Sequence, residues 1–181
     1  CMQAVTASLD NLAMHSRKDI YTDSNLTKLQ MIYWIGQSLR PSSPLFNVIV
    51  TFRLNAPIDV ALFSEAFAAV VHGSDALRTV VREEAGVPRR VVLSEVPQPL
   101  ALLDFSKETD PDATLQQWLS ARSQQALDIG KCAYDIVLIK LAEDAYHWYI
   151  NQHHMIVDAA SVFIVYRRTV NAYNEAKESG K

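Results

Sequence analysis

Apolar positions along the chain recur at two different periods, and the switches between them predict the secondary elements. Residues 25–38 place Leu26, Leu29, Ile32, Tyr33 and Gly36 at helical spacing, with Ser24-Asn25 standing where an N-cap is expected. Arg40-Pro41-Ser42-Ser43-Pro44 is turn chemistry, and the β-branched and aromatic residues 46–54 then predict a strand. Asp59 is positioned to cap a helix reaching about His72, with Val60, Phe63, Phe67 and Val70 or Val71 on one face. Residues 78–83 and 89–93 read as a β-hairpin joined by a loop over 84–88, and Pro97 and Pro99 interrupt the stretch beyond it. A helix over 112–127 is marked at its start by Asp110-Pro111 and carries Leu115, Trp118, Leu119 and Leu127 on its apolar side.

Two strands, 134–141 and 146–152, are joined by only four residues and are therefore expected to pair antiparallel. Residues 161–175 predict a closing helix, with Val162, Val165, Tyr166, Val170 and Tyr173 inward and Arg167, Arg168, Glu175 and Lys177 toward solvent. Residues 1–24 mix polar residues with Leu9, Leu12, Met14 and Ile20 and read as a weak helix or a linker. The whole predicts a single α/β unit with mixed or antiparallel pairing and no internal repeat.

Composition narrows the function classes. At 181 residues with 49% hydrophobic and 20% charged residues, the chain is expected to fold as one soluble domain. Its 17 basic and 20 acidic residues give a net charge of −3 without a basic stripe, which argues against nucleic acid as a partner. Cys1 and Cys132 have neither metal-type nor disulfide-framework spacing, so a cytoplasmic setting is expected. No secretory signal pattern opens the chain and no apolar run approaches a membrane span, so no membrane partner is expected. Cys1 in place of a starting Met suggests a fragment.

Candidate chemistry concentrates in 151–161, where two of the five histidines and an aspartate stand at a strand-to-helix junction. Successive side chains on an extended backbone point to opposite faces, so His153 and His154 cannot both reach one substrate: one acts and the other supports. An imidazole can take a proton from an attacking amine or hydroxyl near neutral pH, or stabilise a tetrahedral intermediate, and both roles suit acyl transfer. Asp158 is expected to orient the loop through an ion pair with a buried arginine. On the residues alone, plain packing explains an adjacent histidine pair at least as well. A metal site is disfavoured because the strand-like approach separates the two groups of the HxxxD spacing, and no GxSxG, GxGxxG or Walker pattern is present.

His153-His154-Met155-Ile156-Val157-Asp158-Ala159 is similar to the HHxxxDG motif of nonribosomal peptide synthetase condensation domains. Leu26-Thr27-Lys28-Leu29-Gln30-Met31-Ile32-Tyr33-Trp34 resembles the first motif of that family, LTxxQxxxW, and Ala76-Leu77-Arg78-Thr79 resembles the end of its second, RHxxLRT. The resemblance implies one lobe of a chloramphenicol-acetyltransferase-like α/β sandwich, with a mixed, mainly antiparallel sheet and flanking helices. Residues 24–181 would form the N-terminal lobe, and residues 1–23 a linker or N-terminal extension. It implies a catalytic role for His154, structural roles for His153 and Asp158, and for Arg78 a place beside Asp158 that helps to hold it.

The sequence departs from the family pattern at two places. Ala159 replaces the motif glycine, adding a methyl group where backbone is expected to approach the thioester, and Gly73-Ser74 replaces the Arg-His of the second motif. The implied reaction joins a donor acyl or peptidyl thioester on one carrier protein to the amine of an aminoacyl acceptor on another. No metal or cofactor is bound by the domain itself, because the carriers bring the substrates on phosphopantetheine. The implied partners are peptidyl or acyl carrier proteins, the C-terminal lobe and adjacent synthetase modules. The alternatives are a starter domain acylating the first amino acid, an epimerisation domain, and a truncated lobe that only binds carrier proteins. The chain is short for a full domain, so the isolated fragment is expected to be inactive.

Overall fold

A computed structural model describes residues 20–180, so most of the expected 1–23 extension lies outside the described residues. The elements, in order, are α1 (Ile20–Asp23), α2 (Lys28–Leu39), β1 (Asn47–Leu54), α3 (Val60–His72), β2 (Thr79–Glu84), β3 (Val87–Val92), β4 (Ala101–Asp104), α4 (Pro111–Ser123), β5 (Tyr134–Ala142), β6 (Ala145–His153) and α5 (Ala159–Glu178). β1, β6, β5 and β4 form one sheet in that order, antiparallel except for the parallel β4–β5 pair, and β2 and β3 form a separate hairpin.

The sheet has two differently built faces. Alternation along β5 and β6 sends Tyr134, Ile136, Leu138, Trp148 and Ile150 to the face covered by α3 and α5, where they meet Phe63, Phe67, Val162 and Val165. Val137, Ile139, Leu141 and Tyr149 point to the opposite face, under Leu115, Trp118 and Leu119 of α4. Burying each of these large side chains is worth about 1.5–3 kcal/mol, so the register of β5 and β6 is strongly determined.

Several boundaries move for local reasons. α2 starts three residues later than expected, at Lys28: Thr27 caps it, accepting from Gln30 N while the Gln30 side chain accepts from Thr27 N. Ser24 and Asn25 are engaged elsewhere, with Ser24 Oγ donating to Pro88 O at 2.6 Å and Asn25 exchanging two hydrogen bonds with the Arg90 backbone at 2.6 and 3.0 Å. Leu29 and Ile32, expected inward, are 57% and 62% exposed, whereas Met31 is buried. The hairpin turn shrinks to Ala85-Gly86, both at positive φ (52° and 82°), the backbone of a two-residue turn, and Val87 and Pro88 join the strand.

β4 leaves little trace in the hydrophobic pattern because it is four residues long and comes after two prolines. α4 ends at Ser123 rather than near Leu127. The Gln125 carbonyl accepts from Asn47 Nδ2 at 2.8 Å and the Ile129 carbonyl from Val81 N at 2.9 Å, so this stretch serves as a strap to neighbouring strands. α5 starts earlier than expected, at Ala159, and runs on to Glu178.

Candidate active site

β6 delivers the histidine pair at its last residue. His153 is the final residue of the strand, opposite Asn47 of β1, and His154 opens the turn toward α5 with its backbone N–H donating to Phe46 O at 2.8 Å. The two imidazoles have different environments. His153 is fully buried, and its Nδ1 accepts the Met155 backbone N–H at 3.0 Å while its Nε2 lies 3.3 Å from Gln37 Oε1. Because Nδ1 accepts, Nε2 carries the proton. Burial, reinforced by the neighbouring His154, pushes the His153 pKa down to about 4, so this ring is neutral at physiological pH.

His154 is half-buried. Its Nδ1 lies 3.0 Å from Val157 O, and a carbonyl only accepts, so Nδ1 carries a proton and the neutral form of the ring has its lone pair on Nε2. The ring stacks on Tyr33 of α2, with centroids 5.2 Å apart and planes inclined by 16°. One ring thus has both nitrogens engaged; the other presents a basic nitrogen.

Asp158 is the N-cap of α5. Its carboxylate accepts from Ser161 N at 2.8 Å and from Ser161 Oγ at 2.6 Å, and these bonds hold its pKa below the usual carboxylate value. Ala159 is the first helical residue, a backbone position that asks for no left-handed conformation. The expected Arg78–Asp158 contact is not made. Arg78 instead donates through Nη2 to Asp75 at 2.8 Å and through Nη1 to Leu93 O, tying the start of β2 to the residue after β3. Asp158 is exposed, so capping the helix satisfies it without a cation. His153, His154 and Asp158 therefore share one turn, and Arg78 serves the hairpin.

Three residues outside the histidine segment complete the surroundings: Gln30 Nε2 donates to Met155 O at 3.1 Å, Tyr33 stacks on His154, and Gln37 meets His153. They lie at i, i+3 and i+7 on α2, one helical face, and that spacing was the available signal for Gln37. Beside the turn, a cavity of about 240 Å³ is lined by residues including Gln30, Thr79, Arg90, Met155 and Ile156.

A family model described as Condensation domain matches residues 20–181. The chain belongs to the condensation-domain family. The dimodular nonribosomal peptide synthase of Bacillus subtilis (strain 168) is 27% identical over 150 residues, which are 82% of this chain and 6% of that protein. The isonitrile lipopeptide synthase of Streptomyces coeruleorubidus is 28% identical over 163 residues, covering 89% of this chain and 11% of the relative. Among solved structures, the starter condensation domain of rhizomide synthetase superposes with a TM-score of 0.78 at 26% identity, over 86% of this chain and 38% of that one. The condensation-domain fold expected from the motifs is thus the fold this chain has. The chain spans 6% and 11% of the two synthetases and 38% of the solved domain. No described helix is long and apolar enough to cross a membrane.

Proposed function

We propose that this chain is the N-terminal, histidine-bearing lobe of a condensation domain that joins a carrier-bound acyl or peptidyl thioester to a carrier-bound aminoacyl amine. The observation that carries the reading is the division of labour between the two rings: His154 Nδ1 is held by Val157 O and leaves Nε2 basic, whereas His153 has both nitrogens engaged. The acceptor amine attacks the thioester carbonyl and His154 Nε2 takes its proton. Collapse of the tetrahedral intermediate completes the C–N bond and breaks the C–S bond, and the departing thiolate takes up the proton from the imidazolium. Carrier proteins, the C-terminal lobe and neighbouring modules are the partners this reading requires. His153 and Asp158 shape the turn, the first through its buried hydrogen bonds and the second by starting α5.

The test is a condensation assay in a synthetase carrying this chain, with both substrates loaded on their carriers. His154→Ala is expected to lower turnover by about 10²–10⁴-fold, the usual contribution of a general base. Near-normal turnover sinks the assignment. The resemblance to a starter domain makes acyl-CoA an informative second donor. Product from acyl-CoA and none from a carrier-bound peptidyl donor would move the reading to a starter role.

A further inference from the structure

Gln37 is 7% exposed and lies one turn beyond Tyr33 on α2. Its amide nitrogen faces three carbonyl oxygens of the following turn, Arg40 O at 3.2 Å, Pro41 O at 3.0 Å and Ser43 O at 3.2 Å. The flipped amide would set Oε1 against those same oxygens, so the orientation of this side chain is unambiguous. Oε1 is thereby turned toward His153 Nε2, 3.3 Å away, and because Oε1 can only accept, Nε2 must donate. The Met155 N–H that donates to His153 Nδ1 demands the same tautomer independently. Two constraints from opposite sides of the ring agree.

That tautomer matters for the next residue. His153 Nδ1 captures the Met155 N–H and His153 O accepts from Ile156 N at 3.0 Å, so the turn that starts at His154 closes on His153. The other side of the turn is held by Phe46 O, which accepts from His154 N. Phe46 in turn lies so close to α2 that a Cβ at Gly36 would stand 2.6 Å from its ring, and it packs edge-on against Tyr33 at 5.3 Å. A protonated or tautomerised His153 could not accept from Met155 N, and the turn would lose its internal bond.

We propose that Gln37 is a positioning residue for amide-bond formation: by holding His153 as the Nε2–H tautomer, it keeps the 153–156 turn closed and His154 Nε2 directed at the substrate. The proposal rests on the reading of His154 as the group that handles the proton. Gln37 itself touches no substrate. It links the end of α2, the 40–43 turn and the histidine turn through one amide.

The test records the imidazole nitrogens by long-range ¹⁵N–¹H spectra in the full 181-residue chain. Wild type is expected to show His153 as a single neutral Nε2–H tautomer from pH 7 to about 5.5, since its proton affinity is low. Gln37→Met, which removes donor and acceptor at similar length, is expected to leave a mixture of His153 tautomers and to speed exchange of the Met155 amide by at least about tenfold. In the synthetase, the same variant is expected to lower kcat by about 10–100-fold with little change in KM, as for a misplaced catalytic group. If Gln37 acts through His153, combining it with His153→Phe costs no more than His153→Phe alone. An Nδ1–H or mixed tautomer in wild type overturns the proposal even if Gln37→Met fails to fold, and so does additivity in the double variant. Full turnover in His154→Ala would instead sink the functional reading while leaving the tautomer result in place.

Discussion

The two faces of the four-stranded sheet stand in contrast. Under α3 and α5 the contacts are aromatic and aliphatic, with Phe63 and Trp148 meeting edge to face at 5.0 Å. Under α4 the apolar cluster is smaller, and toward the histidine end the same face turns polar with Asp135, Asn151 and His153, all buried. Arg122 answers Asp135 with two hydrogen bonds of 2.7 and 2.9 Å, and Gln37 and the Met155 amide answer His153. Apolar burial is non-directional and supplies stability; a buried polar group needs a partner at a defined angle and so specifies geometry. The histidine that holds the turn belongs to the specifying face, and the one assigned to the proton leaves the sheet at the next residue.

The contrast can be broken from either side. Trp148→Ala on the apolar face is expected to have the largest effect, about 3–5 kcal/mol less stability in urea unfolding. A loss below about 1 kcal/mol would deny that this face carries the fold. On the polar face the pH is the probe. The His153 pKa falls from an ordinary 6.5 in the unfolded chain to about 4 in the folded one, so between those values the unfolded state binds more protons and stability drops as pH falls. The expected loss is about 1.6 kcal/mol from pH 6.5 to 5, the slope growing from about half of 1.4 kcal/mol per pH unit at pH 6.5 toward that full value. His147, lowered by burial and by Arg53, acts in the same direction, so the diagnostic quantity is the slope lost in His153→Gln relative to wild type.

Asp135→Leu leaves Arg122 without its anion and is expected to cost about 1–2 kcal/mol, less than a fully buried pair because the Arg122 side chain is 35% exposed. Adding Arg122→Met should recover most of that loss, and a double variant as unstable as the single one would show that the pair does more than neutralise itself. The smallest effect is expected at Gln152, fully buried on the apolar face with neither amide atom bonded to any of the described residues. Gln152→Met should raise stability by about 1 kcal/mol in thermal or urea unfolding. Destabilisation there would mean that the apolar face, too, relies on a directed polar contact.

Much of this architecture is legible in residue order. The β5–β6 hairpin, the Asp59 cap, the inward face of α5 and the histidine pair at a strand end follow from alternation, helical spacing and short connections. α2 is the instructive failure. Its hydrophobic count favoured a face with Leu29 and Ile32, but the helix turns Gln30, Tyr33 and Gln37 to the histidine turn and leaves both aliphatic residues exposed. Apolar periodicity could not anticipate a face chosen by two amides and a ring stack. Arg78 shows the same limit, because its partner was assigned from the family resemblance whereas the turn between α3 and β2 supplied a carboxylate three residues away in Asp75.

Residue order by itself determined which side chains the strand end presents: alternation separates His153 from His154, whereas the role of Asp158 as the cap of the closing helix came from the fold. Only the tertiary structure decided which nitrogen of each neutral imidazole carries the proton. A histidine's tautomer is set by whatever faces its two nitrogens, and for His153 one of those partners is an amide 116 residues earlier in the chain.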